Sequence, residues 1–198
     1  NKSGFKTAED RAAWWGIPAT STTSNWSIAI NQKNELNPTA DGETKNIAIR
    51  ACAVNNQGKA GAWCEPYYIH IDNQAPVMEV KLRQYDVAFT GASSANSIGN
   101  LLVEKLYEPG MYLKGEWYIY VDITDESGVK DGSINVMGSS GVITEKYSKN
   151  NIDCYHVWIP VDKTATNLLT YKVSATDTDE GNPHTITSTY QVNVDNTA

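Results

Sequence analysis

Apolar and polar residues alternate along much of this chain with a period of two. That is the pattern of half-buried β-strands, whose successive side chains point to opposite faces. The alternation is clear at Trp26-Ser27-Ile28-Ala29-Ile30, at Ile47, Ile49, Ala51 and Ala53, and at Trp117-Tyr118-Ile119-Tyr120-Val121-Asp122-Ile123. Two further stretches echo one another. Tyr67-Tyr68-Ile69-His70-Ile71-Asp72-Asn73-Gln74-Ala75-Pro76 and Tyr190-Gln191-Val192-Asn193-Val194-Asp195-Asn196-Thr197-Ala198 share the form Tyr-x-Φ-x-Φ-Asp-Asn-x-Ala. Each reads as a strand that stops on an acid and enters a short joint. Asp-Asn suits a turn, and Pro76 holds the residue before it extended. One joint in mid-chain and half of another at the end predict tandem domains over 1–74 and 75–198, cut from a longer protein.

In the first domain, Ala12 to Ile17 fits a short strand and Trp26 to Ile30 a second. Ile47–Val54 and Trp63–Ile71 read as a hairpin turning at Asn55-Asn56-Gln57-Gly58. A sandwich of about seven strands needs roughly a hundred residues, so this domain is expected to lack its two opening strands. The second domain opens at Val77 to Gln84 and continues into a long first loop, about 90–113. There Ile98, Leu101, Leu102, Lys105 and Leu106 fit helical spacing, while Leu102 to Tyr107 fits a short strand equally well. Strands follow over 117–123, 133–137, 142–147 and 153–161, and a final hairpin joins 168–176 to 185–194. Short strands with turn signals between them predict an all-β fold of antiparallel sandwiches. The two domains also align further back: Ile47-x-Ile49-x-Ala51 with Tyr171-x-Val173-x-Ala175, and Trp26-x-Ile28-x-Ile30 with Val157-x-Ile159-x-Val161.

Composition adds limits. Apolar residues make up 40% of the chain, enough for packed cores, and the 16 basic against 23 acidic residues give a net charge of −7. No basic stripe is available to neutralise phosphates, which argues against nucleic acid as partner. No apolar run approaches a membrane span, so no membrane insertion is expected. The richness in Thr, Ser, Asn and Tyr fits a secreted β-protein.

Candidate chemistry is sparse. His70, His156 and His184 are far apart in sequence, and no phosphate loop, nucleophile elbow or His-x-x-x-His pair is present, so no catalytic residue is assigned. Six Trp and eleven Tyr raise a second reading, an accessory carbohydrate-binding module. Most of these rings suit a sheet core. Trp14-Trp15, adjacent on a strand, must point to opposite faces, and Trp158 lies between inward-facing Val157 and Ile159, so Trp14, Trp15 and Trp158 are the candidate glycan-stacking rings. Cys52 and Cys64 flank a hairpin centred near Gly58 and are expected opposite each other as a disulfide, which implies an oxidising compartment. Cys154 is left over.

The hairpin Ala175-Thr176-Asp177-Thr178-Asp179-Glu180-Gly181-Asn182 followed by Val194-Asp195-Asn196-Thr197-Ala198 resembles the last strands of tandem bacterial immunoglobulin-like domains, the Big or fibronectin-III-like repeats of surface and secreted proteins. Val121 to Val129 resembles the second strand of that family and its turn. The first domain departs from the pattern, with Ala53 at the hairpin acid and no Asn after Gly58. The resemblance implies immunoglobulin-like sandwiches acting as a non-catalytic spacer or adhesive module at the cell surface. The implied partners are neighbouring domains of the same chain, a glycan or a host protein. An internal isopeptide bond of the kind found in surface sandwiches would need Lys81 beside Asn193, but Asn193 alternates onto the solvent face. In such a fold the second-to-third and sixth-to-seventh loops share the pole where the chain enters. Asp72, Asp125, Glu126, Asp177, Asp179 and Glu180 should then crowd together with no basic residue among them, as candidate calcium ligands at the joint.

Overall fold

The computed structural model describes residues 44–55, 57, 59–86, 98–179 and 183–195. All regular structure among them is β, with no helix. The chain forms two compact units, Asn1–Asn73 and Gln74–Ala198.

In the first unit four strands are described: β1 (Thr44–Ile49), β2 (Cys52–Val54), β3 (Ala60–Trp63) and β4 (Tyr67–Asp72). β1 pairs antiparallel with β4, Ile47 opposite Ile69, and β2 pairs with β3 inside the same long hairpin. Asn55 closes the turn, its Oδ1 accepting from the backbone N–H of Gln57 and Lys59 at 3.0 and 2.9 Å. The hairpin is interrupted at Arg50-Ala51 and Cys64–Pro66, where Pro66 has no N–H to give a ladder. Across that break the register slips by one residue. Cys52 therefore faces Trp63, while Cys64 bonds to Ala51 through its backbone N–H, 2.8 Å from the Ala51 carbonyl. The expected Cys52–Cys64 disulfide is corrected on this point: both thiols are free, as is Cys154. A one-residue slip turns paired side chains to opposite faces.

The second unit carries nine strands: β5 (Val77–Tyr85), β6 (Leu101–Leu106), β7 (Met111–Leu113), β8 (Tyr118–Thr124), β9 (Asn135–Met137), β10 (Ile143–Lys149), β11 (Ile152–Pro160), β12 (Leu169–Thr176) and β13 (Thr185–Val194). Two of them, β6 and β7, lie within the stretch read as a long loop, and strand geometry prevails there over helical spacing. The strands form a five-stranded sheet in the order β10-β11-β8-β5-β6 and a four-stranded sheet in the order β7-β13-β12-β9. All pairings are antiparallel except β7 with β13, which run parallel. The hairpin between β10 and β11 turns on Asn150-Asn151, both with positive φ, 56° and 64°. Two consecutive left-handed residues match the right-handed twist of the strands they join, and Asn tolerates that conformation.

Both sheets feed one core. Ile119, Val121 and Ile123 of β8, Val157 and Ile159 of β11, and Leu82 of β5 meet Tyr171, Val173 and Ala175 of β12 and Tyr190 and Val192 of β13. Each large side chain so buried contributes about 1.5–3 kcal/mol. The period-two alternation puts these residues on one side of each strand, and that is why the two sheets face each other.

Candidate functional site

The end of β8 and the end of β12 come together as the sequence predicts. Asp125 Oδ1 accepts from Ser127 N at 2.8 Å, Ser127 Oγ at 2.6 Å and Gly128 N at 3.1 Å, folding the chain back on itself. Gly128 takes φ of 100°, which only glycine adopts without strain. The turn is then stitched to the β12–β13 hairpin. Thr178 N donates to Gly128 O at 2.9 Å, Lys130 N to Thr176 O at 2.9 Å, and Val129 bridges Asp177.

Asp177 sits at the centre, only 1% exposed. Its Oδ1 accepts from Asp179 N at 3.1 Å, and its Oδ2 from His184 N and His184 Nδ1, each at 3.0 Å. His184, just ahead of β13, is thus the cationic-capable partner that the sequence reading left out. Glu126 is exposed and Asp179 half-buried, Asp72 closes β4 in the first unit opposite Thr44, and Glu180 lies outside the described residues. Calcium takes oxygen ligands with lone pairs turned to the ion. Asp177 gives both its oxygens to N–H donors and Asp125 gives Oδ1 to N–H and O–H donors, so this donor set does not fit calcium. Among the described residues no group of three or more acids, histidines or cysteines is arranged to hold a metal.

The outer face of the five-stranded sheet was expected to be a solvated one. Instead it carries a second buried cluster of Tyr118, Tyr120, Ile143 and Trp158, with Tyr85 and Ile98 packed against it. Trp158, proposed from the sequence as a glycan-stacking ring, is 7% exposed and donates its indole N–H to Tyr85 Oη at 2.9 Å. Its ring meets that of Tyr120 edge-on, centroids 5.4 Å apart, so no face is left for a sugar. Trp14 and Trp15 lie outside the described residues. The Arg83 guanidinium covers the other side of Tyr120 at 3.4 Å and pairs with Glu104 at 2.8 Å, which also binds Lys81 at 2.9 Å. Burial pushes the Tyr120 phenol up to about 12, although Arg83 pulls the other way.

Further along the same face, His156 stacks on Tyr147 at 4.1 Å, and Tyr147 Oη donates to Asp122 Oδ1 at 2.6 Å. Burial lowers the His156 pKa, against the opposing pull of Asp122 and Glu145. Burial raises that of Tyr147, and Asp122 adds to the rise. This band of rings and charges joins strands β6, β5, β8, β11 and β10 from the outside. It contains no nucleophile paired with a base, and its chemistry is that of a clamp.

Lys81 and Asn193 are not brought together. Lys81 serves Glu104 on the five-stranded sheet, and Asn193, on the other sheet, donates its Nδ2 to Gly110 O at 2.8 Å. His70 pairs with Asn46 through its backbone. Two shallow cavities of about 220 and 230 Å³ open on the second unit, the first lined by Val77, Thr124, Asp125, Glu126, Lys149 and Cys154. Both are smaller than the roughly 300–1,000 Å³ of ordinary small-molecule sites. Comparison of the chain with family models, with curated proteins and with solved structures finds no match.

Proposed function

We propose that this chain is a non-catalytic spacer or presenting module of a larger extracellular surface protein, built from tandem immunoglobulin-like sandwiches. The observation that carries the reading is the strand order of the second unit. In the immunoglobulin constant-type plan one sheet runs A-B-E-D and the other C-F-G. β5, β8, β11 and β10 lie in the first order and β9, β12 and β13 in the second, and the chain visits them as A, B, C, D, E, F, G. β6 is then an added edge beyond A, and β7 a short strand alongside G. A second feature supports the same plan. Tyr171, near the start of the strand equivalent to F, accepts a hydrogen bond on Oη from Asp162 N at 3.4 Å, in the manner of the tyrosine corner of such domains.

The sealed outer face and the small cavities favour a mechanical role over a ligand-binding one. The extracellular setting rests on composition and on the resemblance of the last hairpin, since the free thiols give no argument for an oxidising compartment. Two measurements test the reading. A glycan array and polysaccharide pull-down with the 198-residue chain should give no retention; retention would move the protein to the accessory sugar-binding class. In a cell-surface display, exchanging this chain for unrelated sandwiches of equal length should keep a distal epitope accessible, while deletion should hide it. Loss of a specific adhesion on exchange would overturn the spacer reading.

A further inference from the structure

β6 is the edge of the five-stranded sheet that is least protected by its own side chains. Its strand neighbour among the described residues is β5 alone. Val103 packs toward the core, and Leu102, Glu104 and Leu106 line the opposite side. Leu102 is 63% exposed and Leu106 77%. An edge strand with exposed apolar residues is a template for another strand, and proteins usually guard it with mid-strand charges. Here both guards are turned back onto their own sheet. Glu104 accepts from Lys81 Nζ at 2.9 Å and from Arg83 Nε at 2.8 Å, and the Lys105 ammonium lies 5.1 Å from the centroid of the Trp117 ring.

We infer that β6 pairs antiparallel with β6 of a second copy of this chain, about a two-fold axis through Glu104. The side-chain pattern selects both the partner and the register. Leu102 and Leu106 stand symmetrically about Glu104, so the axis sets each Leu102 against Leu106 of the second copy, twice over, and Val103 against the aliphatic stem of Lys105. The two Glu104 carboxylates meet on the axis, but two Lys81 and two Arg83 side chains hold them. Two negative charges among four positive ones are not repelled. A two-fold axis keeps residues of one face on one face, so registers shift in steps that move the axis by one residue. An axis on Val103 places Leu102 opposite Glu104, and an axis on Lys105 brings two ammonium groups together and sets Leu106 against Glu104. Only the Glu104-centred register matches apolar with apolar on the exposed face. The joined strands form a continuous ten-stranded sheet across the two copies. Such a contact is small and belongs with weak, concentration-dependent association.

Sedimentation velocity of the full chain over a concentration series tests this. The expected result is a monomer–dimer equilibrium that Leu106→Lys weakens at least about tenfold, with an unchanged melting curve showing that the fold survives. The double variant Leu102→Glu/Leu106→Lys sets Glu opposite Lys twice in the proposed register and should recover the dimer. Leu102→Lys/Leu106→Lys should not, and Met137→Lys, on an edge of the other sheet, should leave the equilibrium unchanged. A chain that is monomeric at every concentration overturns the inference. So does a dimer indifferent to Leu106→Lys, or a Glu/Lys double variant no better than Leu106→Lys alone.

Discussion

Replacing Asp177 by alanine removes a fully buried carboxylate and leaves three donors without their acceptor: His184 N, His184 Nδ1 and Asp179 N. A hydrogen bond to a charged group contributes about 1.5–3 kcal/mol net. His184 and Asp179 are half-buried, so water can reach part of what is lost, and the lower end of that range applies. The sum is a destabilisation of about 3–4 kcal/mol. For a unit the size of Gln74–Ala198, each kcal/mol moves the midpoint by roughly 3–5 °C, which puts the fall in Tm at about 10–15 °C. Asp177→Asn keeps the shape, but whichever way its amide is turned, one N–H faces another, so about half that loss is expected. Calorimetry with chemical denaturation gives both numbers. An alanine variant within about 0.5 kcal/mol of the parent would refute the accounting. Calcium or chelator should shift neither curve; a calcium-dependent gap between parent and variant would mean that Asp177 holds a cation rather than the hairpin.

Three other outcomes follow from the same geometry. Gly138 has φ of 95°, and a Cβ there would press on the Thr170 carbonyl oxygen; Gly138→Ala should cost at least about 3 kcal/mol and free β9 from β12, read as faster amide exchange at Val136 and Ser174. Trp158→Phe should cost about 1–2 kcal/mol through lost area and the bond to Tyr85, and Trp158→Ala about 3–5 kcal/mol, measured by urea titration. Because burial holds the His156 pKa below its ordinary value, the unfolded chain takes up the proton first as the pH falls. Its contribution is therefore intact above about 6.5 and lost as the pH drops through the lower folded value. His156→Phe should flatten the dependence of the urea midpoint between about pH 7.5 and 5.

Much of the second unit was legible because one physical rule decides it. β8, β12 and β13 each bury every other residue, so Ile119-x-Val121-x-Ile123 and Tyr171-x-Val173-x-Ala175 announce both their strands and their inward faces. What escaped the reading depends on contacts distant in sequence. Trp158 was assigned outward because its neighbours point inward, and that is correct. The error lay in equating outward with exposed. The signal was Tyr118 and Tyr120, large rings at the outward positions of β8, which mark a strand buried on both faces. Cys52 and Cys64 failed for a different reason. A hairpin centre predicts opposition only while the register holds, and Pro66 helps to break it. His184 was placed by residue type in a strand, and nothing local told of Asp177 closing over it. In β6 the paired leucines mimic a helix turn, and pairing with β5 overrides that preference.

β7 runs parallel to β13, a detail of connectivity with a consequence for tension. Three ladder positions, Met111–Leu113 against Val192–Val194, are framed by Gly110 N donating to Gln191 O and Asp195 N to Leu113 O. When the last strand is drawn out along its own axis, these bonds lie across the pull and are strained side by side. An antiparallel hairpin peeled from its turn surrenders its bonds one after another; a parallel pair dragged lengthwise must yield them at once. The short β7 therefore acts as a latch in shear on the terminal strand, at the place where a stalk under load would otherwise begin to unravel.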